Sequence, residues 1–562
     1  MKKKAIFFVC IFILILMFLP NENILKTKQV TILDENNNEI ISIINNHNSR
    51  LIEIDNLNEQ NILILLTIED KNFYNHNGFN FLRIIKTIFT NFFNNQTKGA
   101  STITQQYIKN NYLTNDKTFI RKLKEIFYAI KYEQITDKDT ILENYLNSIY
   151  FGNDIYGLTN ASLYYFNKNY SSLTINEMAT LVALLNAPSI YSNNISKLNT
   201  KKNSILKIVY ENKIINKDEY YEALKPVAFN INKEIYNSNL LFFKDEVMKE
   251  FDNLNLKSNI NNPIIINTRY NQELNNLKIN TTTNYCSLAV NKDGYIISMI
   301  GNNDYYSSNY NIVTNGKRDI ASTIKPLLYY EALKCGFTTN EKFYSAPYSF
   351  SYLDSNIIIN NYGHIYPHKE IAMREALATS DNIYAIKMHQ QLGYKTLANH
   401  FKNYNISADS IPSLALGSIG MSLYELTHIY TQFFTEGKYL DLKCIVSVKA
   451  NNKIKYQTQL TYQILGNENH FKTIKNLMNG MFDDSIAHAT GLSIAPKLKT
   501  ICYGKSGLSD YDSYMIGFND EILVSAWSGY LNNELLEDSF IKRIPKEIFL
   551  KQINNYKKSS TN

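Results

Sequence analysis

Cysteine is scarce and scattered: Cys10, Cys286, Cys335, Cys444 and Cys502, with no C-x-x-C pair among them. An odd, dispersed set supports neither a metal knuckle nor a disulfide framework. Tryptophan occurs once and glycine only 20 times in 562 residues, against many Asn, Ile, Lys and Tyr, a compositional bias from which no function follows. No block of five or six cations appears, and three of the charges behind the net +7 are Lys2, Lys3 and Lys4. A nucleic-acid-binding stripe is thereby set aside. Hydrophobic residues at 44% and charged residues at 19% also exclude a mainly disordered chain. The length suits roughly two to four domains.

The chain opens with three lysines and an unbroken apolar run from Ala5 to Leu19. That run is short for a span of about 20 residues, yet flanking lysines snorkel and bilayers adjust to mismatch. No small-x-small cleavage site follows it, and Cys10 lacks the small residues that precede a lipid-attachment cysteine. Residues 1–22 are therefore expected to be a cytoplasmic tail and uncleaved transmembrane helix. The expected location is the cell membrane, single-pass, with the N-terminus cytoplasmic and the rest extracytoplasmic, out of reach of ATP.

Periodicity divides the remainder. After a strand-like lead at Gln29–Ile44, residues 45–225 are expected to form a mainly α domain. In FLRIIKTIFTNFF, Phe81, Ile84, Ile85, Ile88 and Phe92 share one face, which serves core packing or dips into a lipid surface. Thr174 and Glu177 have the spacing of a capping box ahead of another helix. Residues 226–280, polar and rich in Asn, are expected to be a short linker or pedestal. From 281 to 550 the texture changes to α+β: CSLAVNKDGYIISMIG forms two strands around a Lys-Asp-Gly turn, and TICYGKSG and EILVSAWSGY supply two more.

Two stretches share Ser-Thr-Ile, GASTITQQ from Gly99 and ASTIKP from Ala321, but only the second places a lysine three residues after its serine. A serine hydroxyl needs a base to become a nucleophile, and a lysine at i+3 shares its helix face. Burial and nearby cations would keep that amine neutral. Pro326 fits a helix that begins near Ser322, where a missing N–H costs nothing. The free N–H groups of such a start would also face the group attacked. S-x-x-K occurs three times, at Ser204, Ser322 and Ser539, and by itself signifies nothing. The match at Ser322 gains weight because Ser380-Asp381-Asn382 and Lys505-Ser506-Gly507 complete an ordered set of three elements.

With those three elements, residues from 283 to about 535 resemble the transpeptidase domain of a penicillin-binding protein, a β-lactamase-like antiparallel sheet flanked by helices. The resemblance implies that Ser322 is the acylated nucleophile and Lys325 its base, with Ser380 and Asn382 relaying the proton and clamping substrate. It further implies that Lys505 tunes the charge and that Ser506 and Gly507 lie on the edge strand along which the peptide binds. The N–H groups of Ser322 and Leu508 would form the oxyanion hole. Two positions depart from the pattern: Ala321 stands where glycine is usual, and Leu508 where a threonine usually helps to hold the substrate carboxylate. Ser506 or Ser509 is the expected substitute.

In the first half, IEDKNFYNHNG carries Glu69, Asp70 and His76, GASTITQQYIKN carries Ser101, Gln105, Gln106 and Lys109, and RKLKEIFYAIKYE carries Arg121, Lys122 and Glu125. Arg121 and Glu125, one turn apart, could simply pair with each other. Taken with ILENYLNSIYFG and ATLVALLNAPSIYS, the ordered set resembles a family 51 peptidoglycan glycosyltransferase, a lysozyme-like fold. By that resemblance Glu69 is the base for the sugar hydroxyl and Glu125 assists at the donor diphosphate, which Lys109, Arg121 and Lys122 neutralise. Asp70, His76, Ser101, Gln105 and Gln106 would bind substrate. Asn167 replaces a usual glycine.

Together the resemblances imply a class A penicillin-binding protein: a bifunctional enzyme that polymerises lipid II and crosslinks stem peptides through a serine acyl-enzyme. The first step would invert the donor sugar and release polyprenyl diphosphate. The implied partners are lipid II, nascent glycan strands, stem pentapeptides, membrane lipids and β-lactams as inhibitors, with no nucleic acid. No metal-ligand cage is visible and no cofactor is required, although the resemblance admits Mg2+ or another divalent cation between the diphosphate and Glu125. The rivals are a polymerase whose second domain is a non-catalytic binding or scaffold module, and a β-lactam hydrolase or sensor.

Overall fold

The computed structural model describes residues 29–44, 46–79, 101–113, 118–256 and 263–557. The expected anchor at residues 1–22, with Cys10, and the amphipathic stretch from Phe81 to Phe93 lie outside them. Among the described residues, no helix is long and apolar enough to cross a membrane.

Three strands come first: β1 (Gln29–Leu33), β2 (Glu39–Ile44) and β3 (His47–Ser49). A helical body follows, in which α1 (Glu59–Glu69), α2 (Ile103–Tyr112), α3 (Phe119–Ile135), α4 (Lys138–Ser148) and α5 (Ile175–Asn186) surround one core. Ile64, Ile103, Tyr107, Leu142, Tyr145 and Leu181 are buried in it. The helix starts are written in the sequence: Thr174 and Glu177 close the capping box of α5, Thr102 and Gln105 that of α2, and Asp137 caps α4.

Residues 226–280 are not the expected linker. They hold α6 (Ser238–Asn253), which buries Leu241, Phe242, Phe243, Val247 and Phe251, and β4 (Ile264–Thr268), whose Ile266 is fully buried. The many Asn residues hid this periodicity, because several of them are caps and buried hydrogen-bond donors; Asn237 caps α6, and Asn239 donates to the carbonyl of Asn275 at 2.7 Å.

The second domain begins with β5 (Asn284–Asn291) and β6 (Ile296–Ile300) and continues through α7 (Lys325–Lys334), α8 (Met373–Thr379), α9 (Asn382–Leu392) and α10 (Leu423–Phe434). Then come β7 (Ile445–Ala450), β8 (Lys453–Gln457), β9 (Tyr503–Leu508), β10 (Asp512–Phe518), β11 (Ile522–Gly529) and α11 (Ile544–Asn555). The order β9-β10-β11-β5-β6 makes a five-stranded antiparallel sheet with β9 at an open edge. The inner strand β10, unexpected from sequence, is buried along its whole length and shows no alternation to reveal it. A second sheet, β8-β7-β4-β1-β2-β3, recruits strands from three distant segments, with β1 and β4 parallel and Ile32 opposite Ile266.

Both positions where glycine was expected but absent have left-handed backbone. Asn167 ends a helix at φ 51°, a conformation that Asn tolerates. Ala321, just before Ser322, has φ 48° and carries a β-carbon into a region that costs an L-residue roughly 1–2 kcal/mol. Replacing Ala321 by Gly removes that strain at a smaller entropic cost. Ala321→Gly should raise the thermal unfolding midpoint, by the equivalent of about 0.5–1 kcal/mol, without loss of reactivity at Ser322.

Candidate active sites

The nucleophile turn is a 3-10 segment, Ala321–Ile324, running directly into α7 at Lys325. The α-helix thus starts three residues later than expected, with Pro326 still in its first turn. Ser322 thus lies in the 3-10 segment, and Lys325, three residues on, opens the α-helix. Two glycines let neighbouring backbone press on this turn: a β-carbon on Gly417 would lie 1.9 Å from the Ala321 carbonyl oxygen, and one on Gly507 2.9 Å from Thr323.

Both lysine amines converge on the Ser380 turn. Lys325, fully buried, donates to the Ser380 carbonyl at 2.7 Å and to Asn382 Oδ1 at 2.8 Å, with Ser380 Oγ at 3.3 Å. Lys505, on β9 and also fully buried, donates to Ser380 Oγ at 2.9 Å and to the Ser506 carbonyl at 2.7 Å. Ser380 sits at φ 61° between α8 and α9, so that its hydroxyl faces both amines. Burial pushes the Lys325 amine down to about 7, an effect that the nearby Asp381 only partly opposes. Lys505 lies well below the usual lysine range, through burial and then the charges of Lys325 and Lys546.

Asp381 was quoted in its triplet without a role. It caps α9 through the Tyr384 N–H at 2.8 Å and accepts from Ser345 Oγ at 2.5 Å and Asn361 Nδ2 at 2.6 Å. Its carboxylate is therefore spent on holding the turn. Asn361 also accepts the N–H of Asn382, at 2.8 Å. Ser345 and Asn361 carry no sequence signal, since their importance comes only from lying against Asp381.

Ser322, Ser380, Asn382, Ser506, Gly507 and Leu508 line one cleft of about 690 Å3. Ser509 does not serve as the expected substitute: its hydroxyl is occupied in the β9–β10 turn, accepting from the N–H groups of Tyr511 and Asp512 at 3.2 and 2.9 Å. The other S-x-x-K copies part company here. Ser204 donates to the Thr200 carbonyl on an exposed helix face, whereas Lys542, three residues after Ser539, reaches the cleft from outside the expected set.

In the helical body, Glu69 ends α1 and accepts from Gln106 Nε2 at 2.8 Å, while Gln106 Oε1 accepts from the buried Tyr145 hydroxyl at 3.2 Å. Asp70, fully buried, accepts from the Ile103 N–H at 3.1 Å and pairs with His76 at 2.8 Å, so it holds the start of α2 against the end of α1. Gln105, expected on substrate, is instead buried and returns to the Thr102 N–H at 3.0 Å. It is a cap. Lys109 is exposed near the end of α2.

Glu125 is almost wholly buried on α3, with Arg121 2.5 Å from one oxygen and Lys122 on the other. Lys122 also donates to Ser101 Oγ at 2.7 Å. The anticipated Arg121–Glu125 pair thus forms within a larger cationic cluster. Both Glu125 oxygens already carry cations, and no three His, Cys, Asp or Glu side chains converge among the described residues. This donor set does not fit a resident divalent ion, and the charge at this point is balanced by Arg121 and Lys122.

Comparison with known proteins follows the same division. Residues 36–210 match the transglycosylase family and residues 285–514 the penicillin binding protein transpeptidase domain. Penicillin-binding protein 2D of Bacillus subtilis (strain 168) is 31% identical over 511 residues, 86% of this chain and 74% of that one. Penicillin-binding protein 1B of Buchnera aphidicola subsp. Baizongia pistaciae is 27% identical over 515 residues, 84% and 68% of the two chains. The crystal structure of penicillin-binding protein 1A from Haemophilus influenzae is 15% identical, covers 96% of this chain and 94% of that one, and has a TM-score of 0.59, a likeness of fold. Two catalytic domains in this order, with a relative alike along most of both chains, mean that this chain belongs to the class A, bifunctional penicillin-binding proteins.

Proposed function

We propose that the helical body polymerises lipid II into glycan strands with Glu69 as base, and that the cleft crosslinks stem peptides through an acyl-enzyme on Ser322. One observation carries the second half: two buried lysine amines meet on a single serine hydroxyl in the cleft that Ser322 lines.

In the cleft, neutral Lys325 takes the Ser322 proton as Oγ bonds to the donor peptide carbonyl. The N–H groups of Ser322 and Leu508 face the developing oxyanion. Collapse breaks the C–N bond, and the proton passes from Lys325 through Ser380 Oγ to the departing D-alanine nitrogen. Lys505 holds Ser380 Oγ in the relay. The amine of a second stem peptide then attacks the ester, forms the crosslink and returns the proton and Ser322. Asn382, anchored by Lys325, orients the donor peptide, which runs along β9 at Ser506 and Gly507.

In the helical body, Glu69 removes the proton of the attacking sugar hydroxyl, and Gln106 fixes the carboxylate in place for that step. Tyr145, buried and raised well above its usual range, stays protonated and holds Gln106. Lys109, Arg121 and Lys122 neutralise the departing diphosphate; Lys122, the more exposed of the two cations on Glu125, is the one able to swing onto it. The apolar run Ala5–Leu19 behind its lysines supports a single-pass anchor with a cytoplasmic N-terminus. With such an anchor both sites would lie outside the cytoplasm, beside the bilayer from which a lipid-linked donor is drawn.

Three outcomes test this. Fluorescent penicillin should label the wild-type chain and leave Ser322→Ala unlabelled; an unlabelled wild type overturns the acyl-transfer reading. Only the neutral lysine acts as base, so the acylation rate should rise with pH through about 7 and level off above it, about tenfold faster at pH 8 than at pH 6. Glu69→Gln should lower lipid II polymerisation by about 10²–10⁴-fold while penicillin labelling persists, and unimpaired glycan synthesis would refute that base.

A further inference from the structure

The transpeptidase cleft holds more positive charge than its chemistry uses. Three lysines line it, and of these Lys369 is paired with Glu375, whereas neither Lys542 nor Lys546 forms an ion pair among the described residues. The carboxylates on its walls are committed elsewhere, Glu375 to Lys369 at 2.9 Å and Asp381 to its three donors. An uncompensated cationic cleft suits a ligand with a negative group.

The two surplus lysines differ in placement. Lys542 lies by Tyr362, its amine 3.4 Å from the hydroxyl and 5.9 Å from the ring centroid of a residue on the exposed rim. Lys546, in the first turn of α11, lies deeper, close enough for its charge to act on Lys505. Its amine donates to the Thr490 carbonyl at 2.7 Å, and the Thr490 N–H is in turn held by the Ala378 carbonyl at 2.9 Å, two residues before Ser380. Burial and then the charge of Arg543 lower this amine from the usual lysine range, so a bound anion would favour its protonated form, whose three N–H bonds the Thr490 carbonyl does not exhaust. On the strand opposite, Leu508 offers no side-chain donor and the Ser509 hydroxyl is occupied, so Ser506 is the remaining hydroxyl beside Lys505.

We infer that Lys546 binds the free carboxylate of the acyl donor, supplying by charge the contact that Leu508 cannot make. The assignment rests on the acyl-transfer reading of this cleft and adds its specificity: donors ending in a free carboxylate are preferred over neutral ones because the ammonium, pinned by Thr490, has an unmet need for an anion. A single charge-assisted hydrogen bond of this kind is worth about a 10- to 100-fold rate difference.

The test uses the full-length chain with two probes, a penicillin bearing its free carboxylate and the methyl ester of the same penicillin. Acylation rate constants are measured for the wild type, Lys546→Gln and Lys546→Arg. Lys546→Gln should slow acylation by the free acid about 10- to 100-fold and change acylation by the ester less than about threefold, with Lys546→Arg restoring most of the loss. Equal losses with both probes would reduce Lys546 to a structural role, and unchanged acylation by the free acid would remove it from recognition. Failure of the wild type to react with either probe would overturn the acyl-transfer reading itself, and the anchor with it.

Discussion

Everything in the second domain is arranged around the burial of two lysine amines against one serine hydroxyl. An isolated ammonium taken from water is costly, and the group responds by giving up its proton. Lys325 and Lys505 are both fully buried, each within 3.3 Å of Ser380 Oγ; burial lowers both, and the charge of Lys325 lowers Lys505 further. Their basicity is thereby lowered, and a group that is inert as a base in water becomes one near neutral pH. A partnering carboxylate would undo this. Asp381 is close enough to act on Lys325, but its oxygens are taken by Tyr384, Ser345 and Asn361.

The backbone around that pair is under matching constraint. The nucleophile turn is gripped by Gly417 on one side and Gly507 on the other. Behind it, Arg318 reaches Asp512 at 2.8 Å and the Tyr530 carbonyl at 2.7 Å, and Trp527 donates to the same Asp512 oxygen at 2.9 Å. These contacts tie the segment before Ser322 to the β9–β10 hairpin that carries Lys505 and Leu508. A site that depends on reach of about 3 Å needs this rigidity.

The helical body uses its charges differently. Glu125 is paired with Arg121 and Lys122, while Asp70 is engaged by a helix N–H and by His76. Several residues marked as substrate binders by resemblance are therefore the supports of those that face the substrate: Gln105 caps a helix, Asp70 joins two, and Gln106 aims Glu69. A sequence motif records both kinds of residue with equal weight, because loss of either disables the site.

Local order was largely legible. The capping box at Thr174 and the hairpin around the Lys-Asp-Gly turn depend on neighbours within a few residues, whereas the box at Thr102 was hidden because its partner Gln105 was assigned to substrate. The second sheet was not, since β1, β4 and β7 come from segments separated by up to hundreds of residues and pair only once the chain has folded. Nor were Lys546, Asn361 and Ser345, whose meaning lies in what they touch. By itself the sequence determined which chemical groups were present and in what order, together with the helix starts that display them. Only the tertiary structure decided which lysine amines are desolvated, because desolvation of an amine comes from the packing around it and not from the residues beside it in the chain.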